Sequence, residues 1–141
     1  GFAEALKISE QRKAREVRRM SGLEGYFVAQ MSKCLPNARL LGPQPGAGHV
    51  PNNINVSLPD MSAETLVLYL DERGIAASSG SACDSNKQPE SNATAKEGVR
   101  FTMGRHTTRK DIAYTARALC DSVEILLGGK KSHVSRKEKN R

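Results

Sequence analysis

The chain has 141 residues, with 22 lysines and arginines against 15 acidic residues, so its formal charge is +7. That length suits one domain, and a 38% hydrophobic share is enough to bury one core, which excludes wholesale disorder. No apolar run approaches the roughly 18 residues a membrane span needs and no signal peptide opens the sequence, so a soluble domain from a reducing, cytoplasmic compartment is expected. The three cysteines, Cys34, Cys83 and Cys120, form an odd set without CxxC spacing, which argues against a disulfide framework or a zinc knuckle.

Phe2 to Leu35 reads as helix almost from the start. Phe2, Ala5 and Leu6 share a face, Ser9 to Glu16 is nearly all polar, and the apolar pattern resumes at Val17, Met20, Leu23, Phe27, Met31 and Leu35. A stretch polar all round suits a helix crossing between two bodies. Gly22 and Gly25 are candidate points of bending or division. Because Gly1 is not an initiating residue, the chain is expected to be a piece of something larger.

Pro36 and Asn37 stop the helix, Ala38 to Leu41 suggests a short strand, and the Gly-Pro-rich run 42–48 reads as a loop. Asn53 to Leu58 alternates strictly, with Ile54, Val56 and Leu58 on one face, the period of a half-buried strand. Ser62 is an N-cap candidate for a helix carrying Leu66, Tyr69 and Leu70, and Gly74 ends it. Short strands are expected at Ile75–Ala77 and Val99–Met103. Thr108 and Asp111 resemble a capping box with Asp in place of Glu. Ile112, Ala116, Leu119, Val123 and Leu126 then share one face of a last helix, which Gly128-Gly129 is expected to end. The order implies an α+β fold, a small mostly antiparallel sheet with helices packed on one face. Cys34 and Cys120 lie on apolar helical faces and are expected in the core.

Residues 128–141 hold six cations and one anion, +5 of the net charge. This basic terminus reads as a disordered, solvated tail or as a docking tail for an acidic partner or RNA. Aromatics at 4% and no Trp leave few stacking platforms for single-stranded nucleic acid, so direct nucleic-acid binding is not expected. His49, His106 and His133 match no metal-ligand spacing, and no metal site is expected. The loop Ser78-Ser-Gly-Ser-Ala-Cys83-Asp-Ser-Asn86 is small and polar throughout. A thiol on such a segment is accessible, and its thiolate is a nucleophile once a nearby base or cation lowers its pKa. An inert surface cysteine is the alternative.

The run Ser78-Ser-Gly-Ser-Ala-Cys83, with Val99-Arg100-Phe101-Thr102-Met103-Gly104-Arg105-His106-Thr107-Thr108 after it, resembles the C-terminal domain of cysteine desulfurases. These are pyridoxal-phosphate enzymes of the class V aminotransferase group. Gly1 to Ala5 resembles the opening of the helix that follows the cofactor domain, and Pro51 to Leu58 resembles the family's PN-x-x-N-x-S strand. The resemblance covers nearly everything from Gly1 to about Leu127. It implies a small domain over 1–127, with 1–35 as the bridging region, and a cofactor-binding large domain preceding residue 1. The Gly-Ser-Ala-Cys form is similar to the subgroup with a long mobile loop that serves iron–sulfur scaffolds and tRNA thiolation.

What the resemblance implies for the chemistry is specific. Cys83 would take sulfur from L-cysteine as a persulfide, releasing L-alanine, and pass it to an acceptor protein. Arg100 would clamp the substrate carboxylate, for which a guanidinium offers a matching planar fork. Arg105 is its rival. Pyridoxal phosphate would be held by the large domain, since none of the ten lysines sits in a cofactor-lysine context, so this polypeptide alone is expected to be inactive. Full-length members are homodimers. One departure stands out: after Gln88-Pro89-Glu90-Ser91 there is no room for the family's helical segment before the Arg strand. A non-catalytic sulfur-accepting or partner-binding module is the alternative function.

Overall fold

The computed structural model describes residues 1–43, 48–59, 61–80 and 98–138, with side chains as far as residue 128. Seven elements follow one another: α1 (Phe2–Cys34), β1 (Arg39–Leu40), β2 (Asn53–Ser57), α2 (Ala63–Asp71), β3 (Ser78–Ser79), β4 (Val99–Thr102) and α3 (Arg109–Glu138). The strands form one sheet in the order β1-β2-β4-β3, with every neighbouring pair antiparallel. The alternation of apolar residues in β2 and β4 gives the sheet its two faces. Ile54, Val56, Val99 and Phe101 are buried toward the helices, while Asn53, Asn55, Ser57, Arg100 and Thr102 alternate with them on the other face. The expected α+β architecture is what forms.

The helices supply the rest of the core. α1 contributes Met20, Leu23, Phe27 and Met31, α2 contributes Leu66 and Leu70, and α3 contributes Ile112, Ala116, Leu119 and Val123. Phe27 meets Phe101 with ring centroids 5.2 Å apart and planes tilted by 50°, a favourable aromatic geometry. On the flank, the Arg109 guanidinium lies 3.8 Å from the Tyr26 ring centroid, a cation–π contact between α1 and α3. Ahead of Met20 the character of α1 changes, and Phe2, Leu6 and Val17 are exposed.

Local signals explain most element ends. Ser62 Oγ accepts from Thr65 N at 3.3 Å. At the other end of α2, Ile75 N bonds Leu70 O at 3.0 Å and Gly74 N bonds Asp71 O at 2.8 Å, with Gly74 at φ +72°; this is the Schellman pattern with glycine at the left-handed position. The box at α3 is reciprocal: Thr108 N donates to Asp111 Oδ2 at 2.8 Å, and Asp111 N donates to Thr108 Oγ1 at 3.3 Å. Aspartate therefore serves where glutamate is usual.

Four expectations are corrected. Gly22 and Gly25 do not divide α1, because the core stripe Met20–Leu23–Phe27–Met31 holds the backbone across both. Gly128-Gly129 does not end α3, which runs on to Glu138; glycine weakens a helix by about 1 kcal/mol relative to alanine but does not stop it, and no proline follows. The third strand lies at Ser78–Ser79 and not at 75–77, since Ile75 is used in the turn that closes α2. Cys34 is exposed and Cys120 only half-buried, and the two form a disulfide with Cα atoms 6.1 Å apart. Their separation of 86 residues leaves no spacing signature in the sequence.

That bridge ties the end of α1 to the middle of α3, and closing so long a loop removes entropy from the unfolded chain. Reduction, or replacement of both cysteines by serine, should therefore lower unfolding free energy by about 2–4 kcal/mol, read as a lower urea midpoint. The cap gives a second expectation. Bonds from the Thr108 backbone N–H and then its hydroxyl hold the Asp111 carboxyl below its ordinary value. A depressed acid contributes stability above its unfolded pKa and loses it as pH falls through the folded one. Thr108→Ala should cost about 0.5–2 kcal/mol near neutrality, with the difference from wild type shrinking in acid, measured by urea unfolding across that pH range.

Candidate functional site

Arg100 sits at the centre of β4, between the buried Val99 and Phe101, and is itself half-buried. Period-two geometry therefore aims it away from the helices, onto the polar face. It is flanked in register by Asn55 of β2 and Ser78 of β3. Leu41 N donates to Asn55 O at 2.9 Å and Met103 N to Asn52 O at 2.7 Å. The alternation of antiparallel ladders then makes Asn55–Arg100 a non-hydrogen-bonded pair, the kind whose side chains lie closest, with Cα atoms about 4.5 Å apart. By the same alternation, from Gly80 N to Gly98 O at 3.0 Å, Arg100 uses its own backbone groups on Ser78. The result is a three-strand polar row, Asn55–Arg100–Ser78, across the open face.

Asn55 is confined within that row. A Cβ at Gly98 would collide with Asn55 Oδ1 and come within 2.9 Å of Leu41 Cδ1. Glycine at 98 thus permits a close approach no other residue allows. Asn55 Oδ1 is buried and has no hydrogen-bond partner among the described residues.

The turn after β4 is clamped by a residue that no sequence pattern singles out. Arg19 donates through Nη1 to Thr107 O at 2.7 Å, and through Nη2 to Gly104 O at 3.1 Å and Arg105 O at 3.0 Å. Its Nε and Nη2 also reach Glu16 Oε2 at 3.1 and 3.0 Å. These hydrogen bonds hold the Glu16 carboxyl below its ordinary value. One guanidinium fork therefore joins α1 to three carbonyls some 85–88 residues away. A second tie is the pair His49 Nε2 and Glu24 Oε1, with side chains 12% and 5% exposed, which anchors the segment entering β2 to α1. Periodicity reports burial, not which polar side chain spans between elements, so neither tie was legible.

Of the sequence candidates, Arg100 stands in the row, and Arg105 lies exposed in the turn beyond the strand. Cys83, the short segment after Gln88-Pro89 and residues 139–141 lie outside the described residues. Among the residues whose side chains are described, Lys7, Lys13, Lys33 and Lys110 are all exposed. Among the described residues no three potential ligands cluster to hold a metal ion, and no helix is long and apolar enough to cross a membrane.

Residues 1–114 match the aminotransferase class-V family. The chain belongs to that family. It is 31% identical over 135 residues to the cysteine desulfurase IscS of Dictyoglomus turgidum, covering 89% of this chain and 34% of that protein. It is 36% identical over 132 residues to cysteine desulfurase IscS of Azotobacter vinelandii, covering 87% and 31%. Among solved structures, a NifS-like protein superposes with a TM-score of 0.70 at 19% identity, over 87% of this chain and 32% of its own. A NifS-like protein from Rickettsia africae gives a TM-score of 0.61 at 18% identity, over 77% and 29%. The class-V chain thus spans about a third of the length of the curated relatives it matches, and the solved structures share its fold.

Gly98→Ala tests the packing of this row. The added methyl must displace Asn55 or Leu41, so the variant should lose about 1–3 kcal/mol of stability, measured by urea unfolding. The chemical-shift changes should concentrate at Asn55, Leu41 and Arg100.

Proposed function

We propose that this chain is the small domain of a pyridoxal-phosphate-dependent cysteine desulfurase, which takes sulfur from L-cysteine as a persulfide on Cys83 and releases L-alanine. The observation that carries the proposal is the placement of Arg100. The Arg100 guanidinium is directed onto the open sheet face within a row of polar neighbours, in a chain 30–36% identical to cysteine desulfurases over most of its length.

Class V aminotransferases are pyridoxal-phosphate enzymes as a group, and here the cofactor is assigned to residues outside those described. When bound, it supplies the electron sink for the carbon–sulfur cleavage. The residues of this chain have two tasks. Arg100 pairs both oxygens of the substrate carboxylate, fixing the amino acid's orientation by two parallel charge-assisted bonds. Cys83, as thiolate, attacks the substrate sulfur; an S–S bond forms, the C–S bond breaks, and the carbon receives a proton to become alanine. The glycine and serines around Cys83 let that thiol travel between a site that loads sulfur and a protein that accepts it. Assembly as a homodimer, a cytoplasmic location and an iron–sulfur scaffold or tRNA-thiolation protein as sulfur acceptor belong to the same proposal.

The test uses the full-length protein carrying this chain. Cys83→Ala should abolish protein-bound persulfide while leaving the cofactor's absorbance band intact. Arg100→Ala should weaken transition-state binding of L-cysteine by about 1.5–3 kcal/mol, the range for hydrogen bonds to charged groups, and Arg100→Lys should recover part of that, keeping charge without the fork. Persulfide formation at normal rates in Cys83→Ala would overturn the assignment. A silent Arg100→Ala beside a crippling Arg105→Ala would move the clamp to Arg105.

A further inference from the structure

Within the Pro51–Leu58 motif, Asn55 is used by neither the core nor the proposed chemistry. Asn55 Oδ1 is buried and unpartnered among the described residues, although a buried acceptor without a donor is costly. Its Oδ1 also lies hard against Gly98, where Leu41 Cδ1 approaches as well. Its nearest cross-strand neighbour is Arg100, in a non-hydrogen-bonded pair, whose side chains approach most closely on that face. An arginine has five N–H donors, and a bidentate carboxylate occupies two of them. Three are left to be directed by the protein.

We infer that Asn55 is a positioning residue for Arg100: its side-chain oxygen takes one of the remaining guanidinium N–H groups and turns the fork toward the substrate carboxylate. This rests on the carboxylate-clamp reading of Arg100. It accounts for an acceptor without a partner among the described residues, because the cross-strand Arg100 brings a donor to it only when drawn onto an anionic ligand. It also accounts for the glycine at 98, where any side chain would push the amide off Arg100.

A residue that only supports the fold and one that directs Arg100 respond differently to Asn55→Leu, which keeps the branched outline and removes both polar atoms. In this chain the variant should unfold at the same urea concentration as wild type or a higher one, since an unpartnered acceptor has been removed. In the full-length protein, counted per cofactor-loaded site, it should raise KM for L-cysteine about tenfold with kcat changed less than about twofold, since slight misplacement of a binding group is expensive. Asn55→Asp should raise KM further, because a carboxylate there pairs with Arg100 and competes with the substrate. A lower urea midpoint together with an unchanged KM would overturn the inference and leave Asn55 an ordinary structural residue. A full-length wild-type protein inert toward L-cysteine would overturn the desulfurase reading and this assignment with it, whereas an active wild type with an unaffected Asn55→Leu variant would overturn this assignment alone.

Discussion

The antiparallel pairing of β2 with β4 is the constraint from which the rest of this domain follows. Ile54↔Phe101 and Val56↔Val99 face the helices, so Asn55↔Arg100 must face away from them. Side-chain direction in a strand has a period of two, and a slip of one residue would bury the guanidinium and expose Phe101. Burying an unpaired arginine costs several kcal/mol, and exposing a phenylalanine forfeits about 1.5–3 kcal/mol. The same apolar alternation that builds the core therefore sets where the charged group of the site stands.

The helical layer then fixes that sheet from behind and from its end. Phe27 against Phe101 seats α1 on β4, the Cys34–Cys120 bridge fastens α1 to α3, and Arg19 holds the turn that leaves β4. Ser122 lies wholly within the helix layer with its hydroxyl bonded to Ala118 O at 2.7 Å, so this buried polar atom is satisfied. The polar face carries the opposite economy. On that face Asn55 Oδ1 is buried without a hydrogen-bond partner among the described residues.

Much of this architecture was legible in the sequence because it depends on local chemistry. The strict alternation of Asn53 to Leu58, the Ser62 cap, the glycine that closes α2 and the Thr108–Asp111 box each act within a few residues, and each appears where expected. Arg100 was singled out by its resemblance to a family motif, and the register supplies its neighbours. Contacts between distant residues were not legible. The disulfide joins residues 86 apart, Arg19 reaches across more than 80 residues, and the Glu24–His49 pair looks in sequence like two unrelated polar positions. The glycine errors were of another kind: intrinsic propensity argued for breaks at Gly22, Gly25 and Gly128, and in α1 tertiary packing outweighed it.

The account depends most directly on the register that places Asn55 opposite Arg100, and nuclear Overhauser effects between backbone protons read it without reference to activity. In a non-hydrogen-bonded antiparallel pair the two Hα atoms point at each other and lie close. A strong cross-peak between Asn55 Hα and Arg100 Hα, with another between Asn53 Hα and Thr102 Hα, is the result expected. An Hα cross-peak joining Asn55 to Val99 or to Phe101 in its place would mean a one-residue slip, would turn Arg100 into the core, and would contradict the site as built.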